Sequence, residues 1–390
     1  MNAYDFVVPR QIVFGWGRRS EVGKLARSLG RRAFLVIGCE ALKSRGVIGQ
    51  LCTALRSAGV EPIEAATILH EPEVDDVDRT ADAIRARLSG EDLLLGIGGG
   101  AAIDLAKAVA AMATNRESPT MKDYLENVGR DLKLVAPPLP VMALPTTAGT
   151  GAEATRNAVI SSYAPAFKKS LRDVRLMPQI ALVDPEVTVS VPPDVTAASG
   201  MDAITQLLES FLSRKAQPIP QALARQGLKL AVPAIVEAVC NGSSRPAREA
   251  MAHAALLSGI CLANSGLGMA HGVAAALGVC ARVPHGAACA LMLPAALRAN
   301  RTVREAEMVQ LAHLLFGSAT SRSPQETVDT LIGRIEAICD TVGVPRRLSD
   351  VGVRREQIPA LVAGARGSSM SGNPRELSDA ELTEILEQML

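Results

Sequence analysis

Aromatic residues are scarce: Trp, Tyr and Phe together make up 3% of the 390 residues. So thin a supply argues against the stacked aromatic platforms that hold single-stranded nucleic acids. An excess of either charge is missing too. There are 41 basic and 40 acidic residues, a net charge of +1, which gives nucleic acid or an anionic membrane no electrostatic reason to bind. No apolar run reaches the ~18 residues of a membrane span. The nearest approach, ALLSGICLANSGLGMAHGVAAALG, carries Asn264, Ser265 and His271 and fits a buried helical interior. The opening segment, MNAYDFVVPRQIVFG, has no basic stretch leading into an apolar one, so no secretory leader is expected. Cysteines stand at 39, 52, 240, 261, 280, 289 and 339, and no pair has CxxC spacing. Neither a zinc knuckle nor a redox dithiol is indicated. Most of these thiols are expected to be buried, in a reducing cytoplasm.

What is present is enough apolar sequence, 48% of the chain, for more than one core. A chain of this length predicts two domains. In the first half, apolar runs alternate with helical stretches. Arg32–Gly38, Leu93–Ile97, Val141–Leu144 and Ile180–Val183 read as buried strands, and Val47–Ala58 has helical periodicity. Apolar strands interleaved with helices predict a parallel sheet covered on both faces. Pro185, Pro192 and Pro193 then punctuate the chain, and Ala- and Leu-rich helical spacing dominates from Ala197 to about Ala319. The expected division is an α/β domain over residues 1–190 and an all-α domain over 191–390.

Three segments carry candidate chemistry. In GIGGGAAIDLAK, residues 96–107, a strand runs into Gly98, Gly99 and Gly100 and then a helix. Glycines let a phosphate approach the backbone, and a helix N-terminus offers unpaired N–H groups. Taken alone, the run fits a packing turn equally well, and it is neither the Rossmann GxGxxG spacing nor a P-loop. In LPTTAGTGAEAT, residues 144–155, Thr146, Thr147 and Thr150 offer hydroxyls directly after a strand, as a ligand-binding loop or a plain polar one. In the helical half, Asp202 and Gln206 lie four apart on one helix face, with His271 and His285 further on. An Asp, an amide oxygen and two imidazoles suit a mononuclear divalent metal. A solvated or capping Asp–Gln pair and hydrogen-bonded core histidines account for the same residues.

Together these segments resemble the iron-containing, or group III, alcohol dehydrogenases of the dehydroquinate-synthase-like group. The family's GGGSxxDxAK is matched by Gly98–Lys107, with Ala101 for the serine. PTTxGTGSE is matched by Pro145–Glu153, with Ala152 for the serine, and VDPxL by Val183–Val187. GxDAxxH is matched by Gly200–Gln206, with Gln206 for the histidine. The two further metal histidines are matched by His271 and His285, fourteen residues apart, followed by Gly286 and by Leu293-Pro294. The resemblance implies an N-terminal nucleotide-binding α/β domain and a helical domain. It also implies a cofactor, NAD or NADP, held by Gly98, Gly99, Gly100, Ala101 and Asp104, lined by Thr146, Thr147 and Thr150, with Lys169 at the ribose. Lys107, the family's lysine in the glycine-loop helix, is read as structural. A divalent metal, Fe2+ or Zn2+, would be held by Asp202, Gln206, His271 and His285. There it polarises the oxygen of a small alcohol or aldehyde, so that Asp202, His271 and His285 count as catalytic. A cytoplasmic homo-oligomer, a dimer, is expected.

Three departures bear on this expectation. Gln206 offers a neutral, weaker donor where the family has imidazole. Ala275, four residues after His271, stands where many relatives carry another histidine. Cys39 stands where many have a carboxylate at the end of the second strand, and without that charge a 2′-phosphate is acceptable. The alternatives kept open are a metal-independent reductase of the maleylacetate reductase type, favoured by Gln206, a lyase resembling dehydroquinate synthase, and a cofactor-binding protein without catalysis.

Overall fold

The structure, a computed structural model, describes residues 3–317 and 323–390. The chain divides into two compact units. One holds Val7–Thr147 and Gly151–Ser190. The other holds Val191–Leu390 with Ala148–Thr150 and the residues before Val7. A single cut at residue 190 therefore misses one detail: Ala148–Thr150, inside the threonine-rich loop, groups with the helical unit.

The first unit is built on a six-stranded sheet. Its strands are β1 (Gln11–Phe14), β2 (Arg32–Ile37), β3 (Glu61–Thr67), β4 (Asp92–Gly98), β5 (Val141–Pro145) and β8 (Ile180–Val183). Between β5 and β8 the chain forms a separate antiparallel hairpin, β6 (Asn157–Tyr163) and β7 (Ala166–Arg172). The sheet order is β1-β8-β5-β4-β2-β3, with every pair parallel. The four strands read from the sequence are present. Their alternate residues supply two different cores, as the period of a strand requires. Phe34, Val36 and Leu94 join one core with the Val74–Arg85 and Gly100–Thr114 helices. Ala33, Leu35, Ile37, Leu93, Leu95 and Ile97 join the other with the Val22–Arg27 and Val47–Ser57 helices.

The strand order also fixes where a ligand belongs. From β2 the chain moves outward to β3. From β4 it moves the other way, to β5. The carboxyl ends of β2 and β4 therefore flank a topological switch point, the usual ligand crevice of an open parallel sheet. Gly38 and Gly98 sit there at those strand ends. Gly98 has φ +159°, and a Cβ on it would lie 2.7 Å from the Ala102 side chain and 2.9 Å from the Gly38 Cα, so only glycine fits.

In the second unit helices run over Pro193–Leu212, Pro218–Cys240, Arg245–Ser265, Met269–Cys280 and His285–Asn300, then Glu305–Phe316, Pro324–Thr341, Ile358–Gly364 and Asp379–Gln388. The helical character expected from Ala197 thus continues almost to the C-terminus; Ala319, the expected end, lies outside the described residues. Capping boxes open two of these helices, Ser323 with Glu326 and Ser378 with Glu381, each satisfying N–H groups that a helix start leaves unpaired. The long small-residue stretch is two helices, Arg245–Ser265 and Met269–Cys280, bent by 102° at their break. No single helix among the described residues is long and apolar enough to cross a membrane. Of the seven free cysteines only Cys261, Cys289 and Cys339 are buried, so the expectation that most are buried is corrected. The others lie near helix ends or, like Cys52, on helix faces only partly covered.

Candidate functional site

At the switch point, β4 delivers Gly98 and Gly99 into the start of the Gly100–Thr114 helix. Ala101 is in its first turn, where backbone N–H groups have no partner within the helix. The loop after β5 is tied to the same place. The Thr146 N–H donates to the Gly98 carbonyl at 2.9 Å, and the Thr147 hydroxyl lies 3.2 Å from where a Cβ on Gly99 would stand. Cys39 follows Gly38, whose N–H donates to the Ile97 carbonyl at 2.8 Å, and forms the N-cap of the short Glu40–Ser44 helix. Gly98, Gly99, Gly100, Ala101, Thr146, Thr147 and Cys39 are thus gathered around three adjoining strand ends, those of β2, β4 and β5.

Asp104 and Lys107 turn inward instead. One Asp104 oxygen accepts the Val159 N–H at 3.0 Å. The other lies 3.0 Å from the Lys107 ammonium, close enough to pair in charge although not aligned for a hydrogen bond. Lys107 is fully buried and donates to the Ala152 carbonyl and the Thr155 hydroxyl, both at 2.9 Å. The pair fastens the helix to the loop and to β6. Lys169 lies on β7, opposite Ile160 of β6. Glu153 is buried nearby; burial outweighs its own backbone hydrogen bond and the Lys107 charge and lifts its carboxyl to about 7. Asp184, of the VDP segment, accepts N–H bonds from Gly17, Arg19 and Glu186 and so joins the end of β8 to the loop after β1.

Thr150 is not brought into this group. It clusters with the helical unit, where its carbonyl accepts from Gln206 Nε2 at 2.9 Å. The same Nε2 donates to the Ser258 hydroxyl at 2.9 Å, and Ser258 reaches the Gly149 carbonyl at 3.3 Å. These bonds explain why Ala148–Thr150 departs from the rest of its loop. They also fix the orientation of the amide, since only its NH2 end can face a carbonyl.

The second cluster lies within the helical unit. Asp202, Gln206 and Glu209 occupy one face of the Pro193–Leu212 helix, buried from Gly200 to Leu212. His271 is in the first turn of the Met269–Cys280 helix, and His285 begins the His285–Asn300 helix. Gly286 lets this last helix approach the first: a Cβ there would lie 2.4 Å from the Ala198 carbonyl oxygen. One ligand atom each of Asp202, His271, His285 and Cys289 lies within 4.8 Å of all the others. His271 Nε2 is 3.2 Å from Asp202 Oδ1, and the two histidine rings are 5.6 Å apart at 63°.

Glu209 organises this cluster and was not singled out in the sequence. Its carboxylate accepts N–H bonds from Gly268, Ala270 and His271, an anion at a helix N-terminus, and meets His271 Nδ1 at 2.7 Å. That contact assigns the Nδ1 proton and leaves Nε2 for a metal. Burial opposes charge on His271, yet Cys289, Asp202 and Glu209 hold its pKa well above the ordinary histidine value. Burial also opposes charge on Asp202, yet the His271 hydrogen bond and the charges of both histidines hold its carboxyl below the usual range. Burial pushes the Cys289 thiol up to about 12. Asp202, His271, His285 and Cys289, with Glu209 behind His271, form a donor set that suits a divalent cation. Its anionic oxygen, imidazole nitrogens and sulfur match the donors of zinc and iron sites. The glycine-lined turn likewise suits a pyrophosphate.

Known proteins match this chain along nearly its whole length. The family model "Iron-containing alcohol dehydrogenase" matches residues 9–185, and "Fe-containing alcohol dehydrogenase family, C-terminal" matches residues 196–390. The chain is 30% identical to the NAD-dependent methanol dehydrogenase of Bacillus methanolicus over 387 residues, 99% of this chain and 100% of that protein. It is 31% identical to the lactaldehyde reductase of Escherichia coli (strain K12) over 374 residues, 95% of this chain and 96% of that protein. The crystal structure of a 1,3-propanediol oxidoreductase superposes with a TM-score of 0.92 at 29% identity, covering 100% of both chains. The chain belongs to the iron-containing alcohol dehydrogenase family.

Proposed function

We propose that this protein interconverts a small alcohol and its carbonyl compound with NAD or NADP, using a divalent metal, Fe2+ or Zn2+, held by Asp202, His271 and His285. The convergence of these three donors, with Glu209 fixing the His271 tautomer, carries the reading. The metal supplies a Lewis acid for the substrate oxygen and the nicotinamide supplies or accepts the hydride. Asp202 contributes the anionic donor and His271 Nε2 and His285 the neutral ones. Gln206 occupies the remaining family position, its Oε1 the donor that the sequence offers there. Gly98–Ala101 present backbone N–H groups to the pyrophosphate, and Thr146 and Thr147 line the same turn. Asp104 and Lys107 position that turn from beneath, and Lys169 is assigned to the ribose. Ala275 carries no proton, so any relay from the substrate oxygen runs through other groups. Cys39 places no carboxylate beside the ribose, which supports acceptance of NADP alongside NAD.

One observation favours a second reading, a metal-independent reductase. Gln206 supplies at most a neutral, weaker donor where the family motif has imidazole, and its amide is already anchored through Nε2 to Thr150 and Ser258. Quantifying metal in the purified protein decides between the two. Activity on a panel of alcohols and aldehydes, with both cofactors, before and after chelation is the companion measurement. Chelation should abolish turnover and added Fe2+ or Zn2+ restore it. Full turnover by metal-free protein would replace the first reading with the second.

A further inference from the structure

We propose that Cys289 is a thiolate ligand of this metal, taking the place of the imidazole that Gln206 does not supply. The inference rests on the metal reading above and concerns this chain's own donor set. Cys289 lies four residues after His285, on the same face of the His285–Asn300 helix. Its Sγ is 3.7 Å from His285 Nε2. Nitrogen at 2.0–2.1 Å and sulfur at 2.3 Å from one tetrahedral zinc are about 3.6 Å from each other. Asp202 and His271 are also within reach, since one donor atom of each lies within 4.8 Å of that sulfur.

The neighbours of the sulfur, not its burial, separate a ligand from an ordinary packed thiol. Cys289 is 0% exposed. On its other sides it meets core residues, but at its sulfur it meets a carboxylate and two imidazoles. The charge also balances: Asp202 and one thiolate neutralise a divalent cation. Glu209, the remaining buried carboxylate, is already answered by three backbone N–H groups and the His271 ring. Gln206, meanwhile, is held by its nitrogen to Thr150 and Ser258. One sulfur thus replaces one imidazole and the number of donors is kept. The softer ligand favours Zn2+, Fe2+ or Co2+ over Mg2+ and Mn2+.

The full-length protein, stripped and reloaded with one equivalent of Co2+, tests this. The expected result is a sulfur-to-cobalt charge-transfer band in the near ultraviolet, lost in Cys289→Ser along with about tenfold or more in cobalt affinity. The loss of a direct donor should cost no less than that of an outer-shell partner, roughly 10–100-fold. The zinc-loaded wild type should show one sulfur scatterer at about 2.3 Å in X-ray absorption. That measurement needs no variant, so it decides even if Cys289→Ser fails to fold. The sulfur shell should vanish in Asp202→Asn, which excludes binding at the other six thiols. Stoichiometric metal with only nitrogen and oxygen neighbours overturns the Cys289 assignment and leaves the metal reading standing. No metal under any loading condition overturns both.

Discussion

The switch-point turn and the helical donor cluster are built from different materials. The turn is made of backbone: Gly98 is required by space, the Thr146 N–H holds a carbonyl, and the first N–H groups of a helix have no partner within it. Side-chain identity matters little there, and alanine stands at 101 and 152 where the family motif has serine. The donor cluster is made of side chains, and each replacement changes the chemistry. Gln206, Ala275 and Cys289 all lie in or beside it. A backbone site keeps its motif while its residues drift; a side-chain site keeps its geometry while its donors are exchanged.

His271→Ala is the strongest way to break the comparison. It removes one proposed metal donor and the partner of Asp202 and Glu209 at once. Turnover should fall about a thousandfold or more, the scale of several kcal/mol that a Lewis acid supplies. Titration with NADH or NADPH should show cofactor affinity essentially unchanged, because the turn belongs to the other unit. Gly99→Asp is the reverse test. It puts a side chain against Thr147 and a negative charge at the proposed pyrophosphate position. Nucleotide affinity by nicotinamide fluorescence should fall about a hundredfold or more, at or above the upper end of the roughly 1–3 kcal/mol of a partly screened like-charge contact. Metal content should be unaffected. Unchanged nucleotide binding would place the phosphates elsewhere.

What the sequence revealed divides along the same line. β2, β4, β5 and β8 were readable because both faces are buried and their residues form continuous apolar runs. β3, with the sequence EPIEAAT, is the sheet's last strand and only partly covered, and an edge strand needs no such run. β1 has four residues, and the β6–β7 hairpin mixes lysines with apolar residues. In the donor cluster, Asp202, His271 and His285 came from motif resemblance, since no spacing rule joins residues so far apart in the chain. In the sequence nothing sets Glu209 apart from any other helix carboxylate; only the fold shows a helix N-terminus resting on it. Cys289 gives no signal in the sequence, because it has no second cysteine at CxxC spacing; its sulfur instead faces a histidine one helical turn away.

Glu153 sharpens the backbone side of the comparison through pH. Its carboxyl is raised from 4.5 to about 7, with burial the leading cause. A raised acid gives stability that is fully present below its unfolded pKa and lost as pH rises through its folded pKa. The wild type should therefore lose stability relative to Glu153→Gln between about pH 4.5 and 7, by about 3 kcal/mol in all. Thermal melts of both proteins from pH 4.5 to 8 measure this. A constant difference between them would mean that Glu153 keeps one protonation state throughout. On the side-chain side, Glu209→Gln retains the shape but weakens the hold on His271 Nδ1. Metal affinity should drop about 10–100-fold, read by competition with a chelator, while the fold survives.

Cys39→Asp gives the smallest effect and bears on a side chain beside the proposed backbone site. Cys39 is the N-cap of the Glu40–Ser44 helix, in extended conformation, with no side-chain cap bond. Aspartate is among the best N-cap residues, so the substitution should leave the fold intact or firmer, and a change in cofactor affinity cannot be put down to unfolding. Lys43, the nearby cation best placed to blur the result, is already engaged with Glu64 at 2.7 Å and with Thr67 at 2.8 Å. The new carboxylate would accept from a ribose hydroxyl and repel a 2′-phosphate. The ratio of NADPH to NADH affinity should therefore fall about tenfold, near 1.4 kcal/mol, with metal content and the NADH Kd little changed. A wild type that already prefers NADH strongly, with a ratio unmoved by Cys39→Asp, would show that the ribose is read by other residues than those at the end of β2.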